Sequence, residues 1–222
     1  MIIGMYDLRS FITNMHLWEF LQAGGPIMFF LVLASIVGVT FIIERGLALR
    51  WNKVIPPRVE NALDTSRTAQ DLPRLVEVCR DEPSPLSRLL LTAEENLRFP
   101  KADNADTVQT KARHEITKLE RGLVILEIVV GIGPLLGLVG TISGLIRLFA
   151  ELGKSGMADN SALASGIAVA LNTTLMGLLV AIPSLIAWSY YTKKVEVLAI
   201  EMETLCEKFL RMHYRDRDSK KG

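Results

Sequence analysis

The sequence predicts an all-α membrane protein with three transmembrane helices, spans two and three being extended into a cytoplasmic helical bundle. Three observations predict it. The runs Pro26–Ile43, Ile128–Ile146 and Asn160–Thr192 hold no charged residue, and each reaches the ~18 apolar residues at which a bilayer span becomes the default reading. Half of the 222 residues are apolar, yet 22% are charged, and the charges lie almost entirely outside those runs. A chain sorted in this way has a lipid-facing part and a water-facing part. The polar stretch between the first two runs carries its apolar residues at helical rather than strand spacing.

Residues 1–23 mix Leu8, Phe11, Ile12, Met15 and Trp18 with Asp7, Arg9, Asn14 and Glu19. This composition predicts an amphipathic helix lying in the membrane interface, with Trp18 at headgroup depth. It lacks the uninterrupted apolar core of a secretory signal. Gly24, Gly25 and Pro26 break the lead-in and open span one, residues 24–45, since glycine frees the backbone and proline suits a first helical turn. Glu44 and Arg45 close that span.

Residues 46–122 form a water-facing helical region in which Pro56, Pro57, Pro83, Pro85 and Pro100 punctuate the segments. Leu72, Leu75, Val76 and Cys79 share one face, and Leu86, Leu89, Leu90, Ala93 and Leu97 another. A further helix from about residue 105 carries Val108, Ala112, Ile116, Leu119 and Leu123, and is expected to run without a break into span two.

Span two is read as residues 123–150, a short loop as 151–160 and span three as 161–192. A C-terminal helix and tail, 193–222, carries Val197, Ile200, Leu205 and Phe209 on its apolar side, and its last charged residues are expected to fray. Span two places Gly133, Gly137, Gly140 and Gly144 near one side, and span three is punctuated by Ser165, Asn172, Thr173 and Thr174. Small residues at such spacing let helix backbones approach closely, and hydroxyls or amides in hydrocarbon face protein or water. The hairpin is therefore built to be surrounded by other helices.

Arg45, Arg50, Lys53 and Arg58 follow span one and Lys193 and Lys194 follow span three, whereas Arg9 alone precedes span one and Lys154 alone lies in the loop. The positive-inside rule then puts 46–122 and the C-terminus in the cytoplasm, and the N-terminus and loop outside. Cys79 and Cys206 fall in the reducing compartment as plain thiols.

Several function classes find no support. A net charge of +1 offers no electrostatic basis for nucleic-acid binding. There is no CxxC, HExxH or Walker-type pattern, and His16, His114 and His213 are scattered, so no cofactor, metal site or catalytic cluster is expected. Gly131, Gly133 and Gly137 do not form a nucleotide loop, because no strand precedes them and their surroundings are apolar.

Two readings stay open for Thr141 and Thr174, each near the middle of its span. Either hydroxyl can bond its own helix carbonyl four residues back, or the four polar side chains from Ser165 to Thr174 can line a polar path, since facing lipid would be costly. Glu127, about 21 Å from Thr141 along the helix, is either a solvated boundary charge or the inner mouth of such a path. Arg147 reads as an outer anchor. Pro183 frees the carbonyl of Leu179 and bends span three, as a matter of shape or as a flex point.

The segments LWEFLQAGGPIMFFLVLASIVGVTFIIER, PLLGLVGTISGLI and GIAVALNTTLMGLLVAIPSLIAWSYY, in this order around a long cytoplasmic insertion, resemble spans one, two and three of the TolQ/ExbB/MotA proton-channel family, with the nearest likeness to its ExbB branch. The resemblance covers most of the chain. It implies an inner-membrane subunit, with N-terminus in the periplasm, of which five copies surround the single spans of two ExbD- or TolR-type partners. The partner supplies a membrane aspartate, and ion flow drives work delivered through a TonB-like protein.

By position, Thr141 and Thr174 match the family's pore-lining threonines. Val169 stands where ExbB and TolQ proteins usually have a glutamate, and no carboxylate remains between Glu127 and Glu151 or within span three. The resemblance thus leaves two ion readings. Protons pass by water and hydroxyls to the partner aspartate, or Thr141, Thr173, Thr174 and Asn172 offer neutral oxygens to Na⁺. A TolQ-like role in envelope maintenance, a MotA-like role in motility and a non-conducting scaffold are the alternatives, although MotA proteins have four spans.

Overall fold

The computed structural model describes residues 25–66, 70–155 and 160–219. The expected interfacial helix, part of the loop after span two and the last residues of the charged tail lie outside them. Among the described residues there are helices and no strands: α1 Gly25–Ala48, α2 Trp51–Val54, α3 Pro57–Thr65, α4 Leu72–Asp81, α5 Pro85–Glu95, α6 Lys101–Glu120, α7 Leu123–Ser155 and α8 Asn160–Ser219. Three of these are long and apolar enough to cross a membrane, within Gly25–Ala48, Leu123–Gly153 and Leu163–Arg215. The protein is an all-α, multi-pass membrane protein.

The chain divides into two compact units. The first draws on residues up to Ile42 and on Ile125–Ala187, the second on Ile43–Val124 and Trp188–Gly222. In the first unit α1, α7 and α8 turn large apolar side chains outward: Phe29 is 68% exposed, and Ile36, Leu135, Ile146, Leu171 and Ile186 are exposed as well. Such an apolar surface is stable only against lipid or another protein. Met28, Leu31 and Leu126 are buried, and where the helices come closest the residues are small. Gly38 lets α1 approach the Ser184 hydroxyl of α8 and a methyl of Val129, so that a Cβ at position 38 would stand 3.1 Å from the former. Pro134 and Pro183 both lie inside helices that continue through them.

The second unit is an ordinary water-type core. Val54, Val59, Leu63, Leu75, Leu86, Leu89, Leu198, Met202 and Phe209 are all at or below 2% exposed and form one cluster. Proline sets the helix starts here, because its missing N–H is not needed in a first turn: Pro57 opens α3 and Pro85 opens α5. Ser84 caps α5 by accepting from the Ser87 N–H at 3.0 Å, while the Ser87 hydroxyl donates to Glu82 O at 2.7 Å. Cys79 and Cys206 are free and buried in this core. Burial pushes the Cys79 thiol up to about 11, against a smaller opposing effect of Ser87, which keeps it protonated at neutral pH.

Two expectations are corrected. On the tail, Val197 and Ile200 are exposed, and the buried seam is Val195, Leu198, Met202, Leu205 and Phe209. The helix there has apolar residues on two sides, and the seam that repeats every three to four residues from Val195 is the one that meets the core. On α4, Val78 rather than Val76 packs against the cluster beside Leu72.

The continuous helix expected across Glu120–Leu123 is also interrupted, by a turn at Arg121 and Gly122. Arg121 keeps helical angles there, φ −50° and ψ −37°, and a side chain of α1 packs against the turn. The Arg45 guanidinium donates to Leu119 O at 3.1 Å, a carbonyl in the last turn of α6. Arg45 fills the space beside Gly122, where a Cβ would lie 2.3 Å from Nε. Gly122→Ala therefore evicts Arg45 and loses a charge-assisted bond, at a cost of about 1–2 kcal/mol. Arg45→Ala loses the same bond, so the double variant is expected to melt close to either single one. Additive losses in the three melting curves would contradict the clasp.

Candidate functional site

The first unit brings three hydroxyls together between α7 and α8. The spacing of small residues permits it. A Cβ at Gly137 would come 3.0 Å from Thr173 O and from the Thr174 Cα, one at Gly144 would come 3.1 Å from the Ala170 Cβ, and one at Gly133 would come 3.2 Å from Gly177 O. Gly140 faces the Thr173 side chain, with Ile27 of α1 behind it. The predicted glycines thus give a close approach inside the hairpin of one chain. Gly177 completes it from the α8 side, with a notional Cβ only 2.6 Å from Gly133 O. Sequence reasoning passed over Gly177, although Gly166, Ala170, Thr173, Gly177, Ala181 and Ser184 form a small-residue row that was there to be read.

At this contact the Thr173 hydroxyl, 2% exposed, donates to Ala170 O at 2.7 Å. The Thr174 hydroxyl lies 3.2 Å from Gly137 O. Thr141 Oγ1 is 3.2 Å from Gly137 O, its own carbonyl four residues back, and 3.0 Å from Ala170 O across the interface. It also pairs closely with the Thr174 hydroxyl and stands 3.4 Å from that of Thr173. The local back-bond open for Thr141 is present, and a cross-helix contact to Ala170 O accompanies it.

The chemistry of the pair follows from the inventory of a hydroxyl, one donor and two acceptor positions. Thr141 can donate to Thr174, which donates to Gly137 O. Equally, Thr174 can donate to Thr141, which donates to Ala170 O. Two hydroxyls held between two carbonyls therefore have two donor directions, each ending on a backbone carbonyl.

The hydroxyls of Thr141, Thr173 and Thr174 are each already bonded to a backbone carbonyl, Gly137 O or Ala170 O, so a cation held by these oxygens would replace those bonds. Among the described residues no group of three or more His, Cys, Asp or Glu side chains forms a metal site.

The remaining predicted residues lie apart. Val169 and Asn172 are half-buried, and Asn172 is not among the partners of the three hydroxyls. Glu127 is exposed on α7, and its 14-residue offset puts it ~21 Å from Thr141 on roughly the same side of the helix. Pro183 is exposed, and the next residue, Ser184, bonds back to Val180 O at 2.8 Å. At the other end of α7 the Arg147 guanidinium covers Gly25, whose φ of 65° only glycine adopts freely.

Comparison with known proteins covers these same helices. An ExbB-like biopolymer transport protein of Synechocystis sp. is 34% identical over 77% of this chain and 68% of its own length. An ExbB homologue of Methanothermobacter thermautotrophicus is 28% identical over 80% of this chain and 63% of its own. The biopolymer transport protein ExbB of Aquifex aeolicus is 32% identical over 50% of this chain and 72% of its own. The chain thus spans about two thirds of the first two of these relatives. The profile of the MotA/TolQ/ExbB proton channel family matches residues 82–204, from the end of α4 to beyond the threonine knot. With three apolar helices, the hydroxyl contact between two of them and these relatives together, the chain belongs to the MotA/TolQ/ExbB proton channel family.

Proposed function

We propose that the protein is an ExbB-like subunit of an inner-membrane, ion-driven motor that couples the proton gradient to TonB-dependent or similar transport across the cell envelope. The observation that carries this is the Thr141–Thr174 pair, two hydroxyls with two donor directions set between backbone carbonyls of α7 and α8. Hydroxyls relay a proton but do not store charge. With Val169 in place of a carboxylate, the mid-membrane charge comes from a single-span partner of ExbD or TolR type. The oligomer of this chain, five copies by family resemblance, supplies the wall. Its N-terminus faces the periplasm and its second unit the cytoplasm, in keeping with the lysines and arginines that follow spans one and three. Protons are the ion of this reading and sodium the alternative, and Glu127, exposed on α7, is either a solvated boundary charge or the inner mouth of the path.

Thr141→Val and Thr174→Val test this, because valine keeps the shape and removes the hydroxyl. Each variant is expected to assemble as the wild type does by size-exclusion chromatography. Transport in cells should fall by roughly tenfold or more, the equivalent of one lost hydrogen bond. Normal transport in both variants would overturn the pathway and leave a non-conducting scaffold. Activity that follows a sodium gradient and ignores a pH gradient would overturn the proton reading alone.

A further inference from the structure

A groove runs between α6 and α8 in the second unit, with a volume of about 290 Å³. Its floor is apolar: Val108, Ala112, Cys206 and Leu210 are each at most 5% exposed. Its rim is acidic. Asp106, Glu203 and Glu207 line it, and Glu207 pairs with Arg211. Asp106 and Glu203 enter no ion pair among the described residues. α6 meets the core by Asn104, Val108, Ala112 and Glu115, with Ala105, Ile116 and Leu119 partly buried beside them. The groove lies along the edge of this face, beside α8.

An apolar floor between unpaired carboxylates selects an extended or helical segment with one or two apolar side chains flanked by lysine or arginine. Depth narrows the choice. The groove residues of α8, positions 203–210, lie 11–18 residues beyond Thr192, the end of span three. At 1.5 Å per residue this is ~16–27 Å from the membrane edge. A chain leaving the bilayer beside this subunit reaches that depth in about 5–8 extended residues. Cytoplasmic flanks of membrane spans are the segments in which lysine and arginine accumulate.

We infer that the α6–α8 groove seats the basic cytoplasmic tail of the single-span partner. This rests on the partner and orientation of the preceding section and adds the place where the partner is held outside the membrane. The tail inserts an apolar residue over Ala112 and Leu210, and its cations meet Asp106 and Glu203. A tethered tail raises the local concentration of the span it belongs to, so the seat keeps the partner engaged even while its membrane aspartate changes charge.

The test uses the full chain, co-expressed with an ExbD- or TolR-type partner from the same genome, with a photo-crosslinking amino acid in place of Gln109, an exposed residue lining the groove. The expected product is a crosslink to the partner within about ten residues of its span, weakening as salt rises. Asp106→Lys combined with Glu203→Lys should cut it at least tenfold while the partner still co-purifies through its span. Exchanging the tail's lysines and arginines for glutamate should restore it. A crosslink to a second copy of this chain overturns the inference and makes the groove a subunit interface. So does the absence of any crosslink while the partner co-purifies. If no single-span partner co-purifies with the wild-type chain, the broader functional reading fails and this inference with it, an outcome told apart by the missing partner itself.

Discussion

Gly177→Val is expected to force α7 and α8 apart and to abolish transport, with a lower melting temperature in detergent. A Cβ at position 177 would stand 2.6 Å from Gly133 O and 3.1 Å from the Gly137 Cα. Both are backbone atoms of the facing helix and cannot swing aside as a side-chain end can. Overpacking of this kind costs about 1–3 kcal/mol for added methyl-sized groups, and valine adds three carbons. The gain in helix propensity on replacing glycine, under about 1 kcal/mol, does not offset it. Because the same contact sets the separation of Thr141 and Thr174, a shift of even one ångström parts the hydroxyls. Gly131→Ala is the control. No atom lies within 4 Å of a Cβ there, so propensity acts alone and the variant should melt at or slightly above the wild type. Equal melting of Gly177→Val and wild type would show that the hairpin is looser than its geometry.

The three apolar helices were legible in the sequence because lipid tolerates few alternatives: a long uncharged run bounded by Gly-Pro or by Glu-Arg has one plausible conformation. The helices of the second unit were legible for a different reason, since Pro57 and Pro85 mark first turns and Leu86, Leu89, Leu90 and Ala93 repeat at helical spacing. What escaped depended on residues far apart in the chain. The apolar period of α6 runs through Gly122 into α7, and the side chain that packs against the turn there, Arg45, comes from span one. Gly177 reads as one glycine in an apolar run until Gly133 is seen opposite it. On α8, Val197 and Ile200 are as apolar as Leu198 and Met202, so only packing decides which pair is buried.

The candidate site was legible in its members and not in its form. Thr141 and Thr174 could be named from their positions in the spans, but whether they meet depended on the helix separation that the glycines set. In the structure the two hydroxyls meet and are closed on Gly137 O and Ala170 O. On the proposed reading, the membrane charge that Val169 does not supply has to come from a partner, a need that was legible in the sequence alone.

Arg88→Met is expected to lower stability by roughly 2–4 kcal/mol and to make the protein more sensitive to acid, because it strands a buried carboxylate. Glu115 looks like one surface charge among many in its helix, yet its side chain is 1% exposed. Arg88 holds it through Nε at 3.0 Å, and Lys118 through Nζ at 2.9 Å. Burial works to raise its pKa, but the hydrogen bonds from Arg88 and Lys118, and then their charges, outweigh burial and hold the carboxyl below its ordinary value of 4.5. A carboxyl lowered on folding contributes stability above its unfolded value, and that contribution is lost as pH falls through the folded one. The loss therefore falls below about pH 4.5. Arg88→Met leaves only Lys118, which raises the folded value and moves the loss to higher pH. Glu115→Gln should cost less, since Arg88 and Lys118 are 40% and 52% exposed and can turn to water. It should also flatten the dependence of melting temperature on pH between about 3 and 5. Melting curves of the two variants and the wild type across that range decide the matter. If Glu115→Gln is the more damaging of the two, the buried charge is not what Arg88 is there to hold.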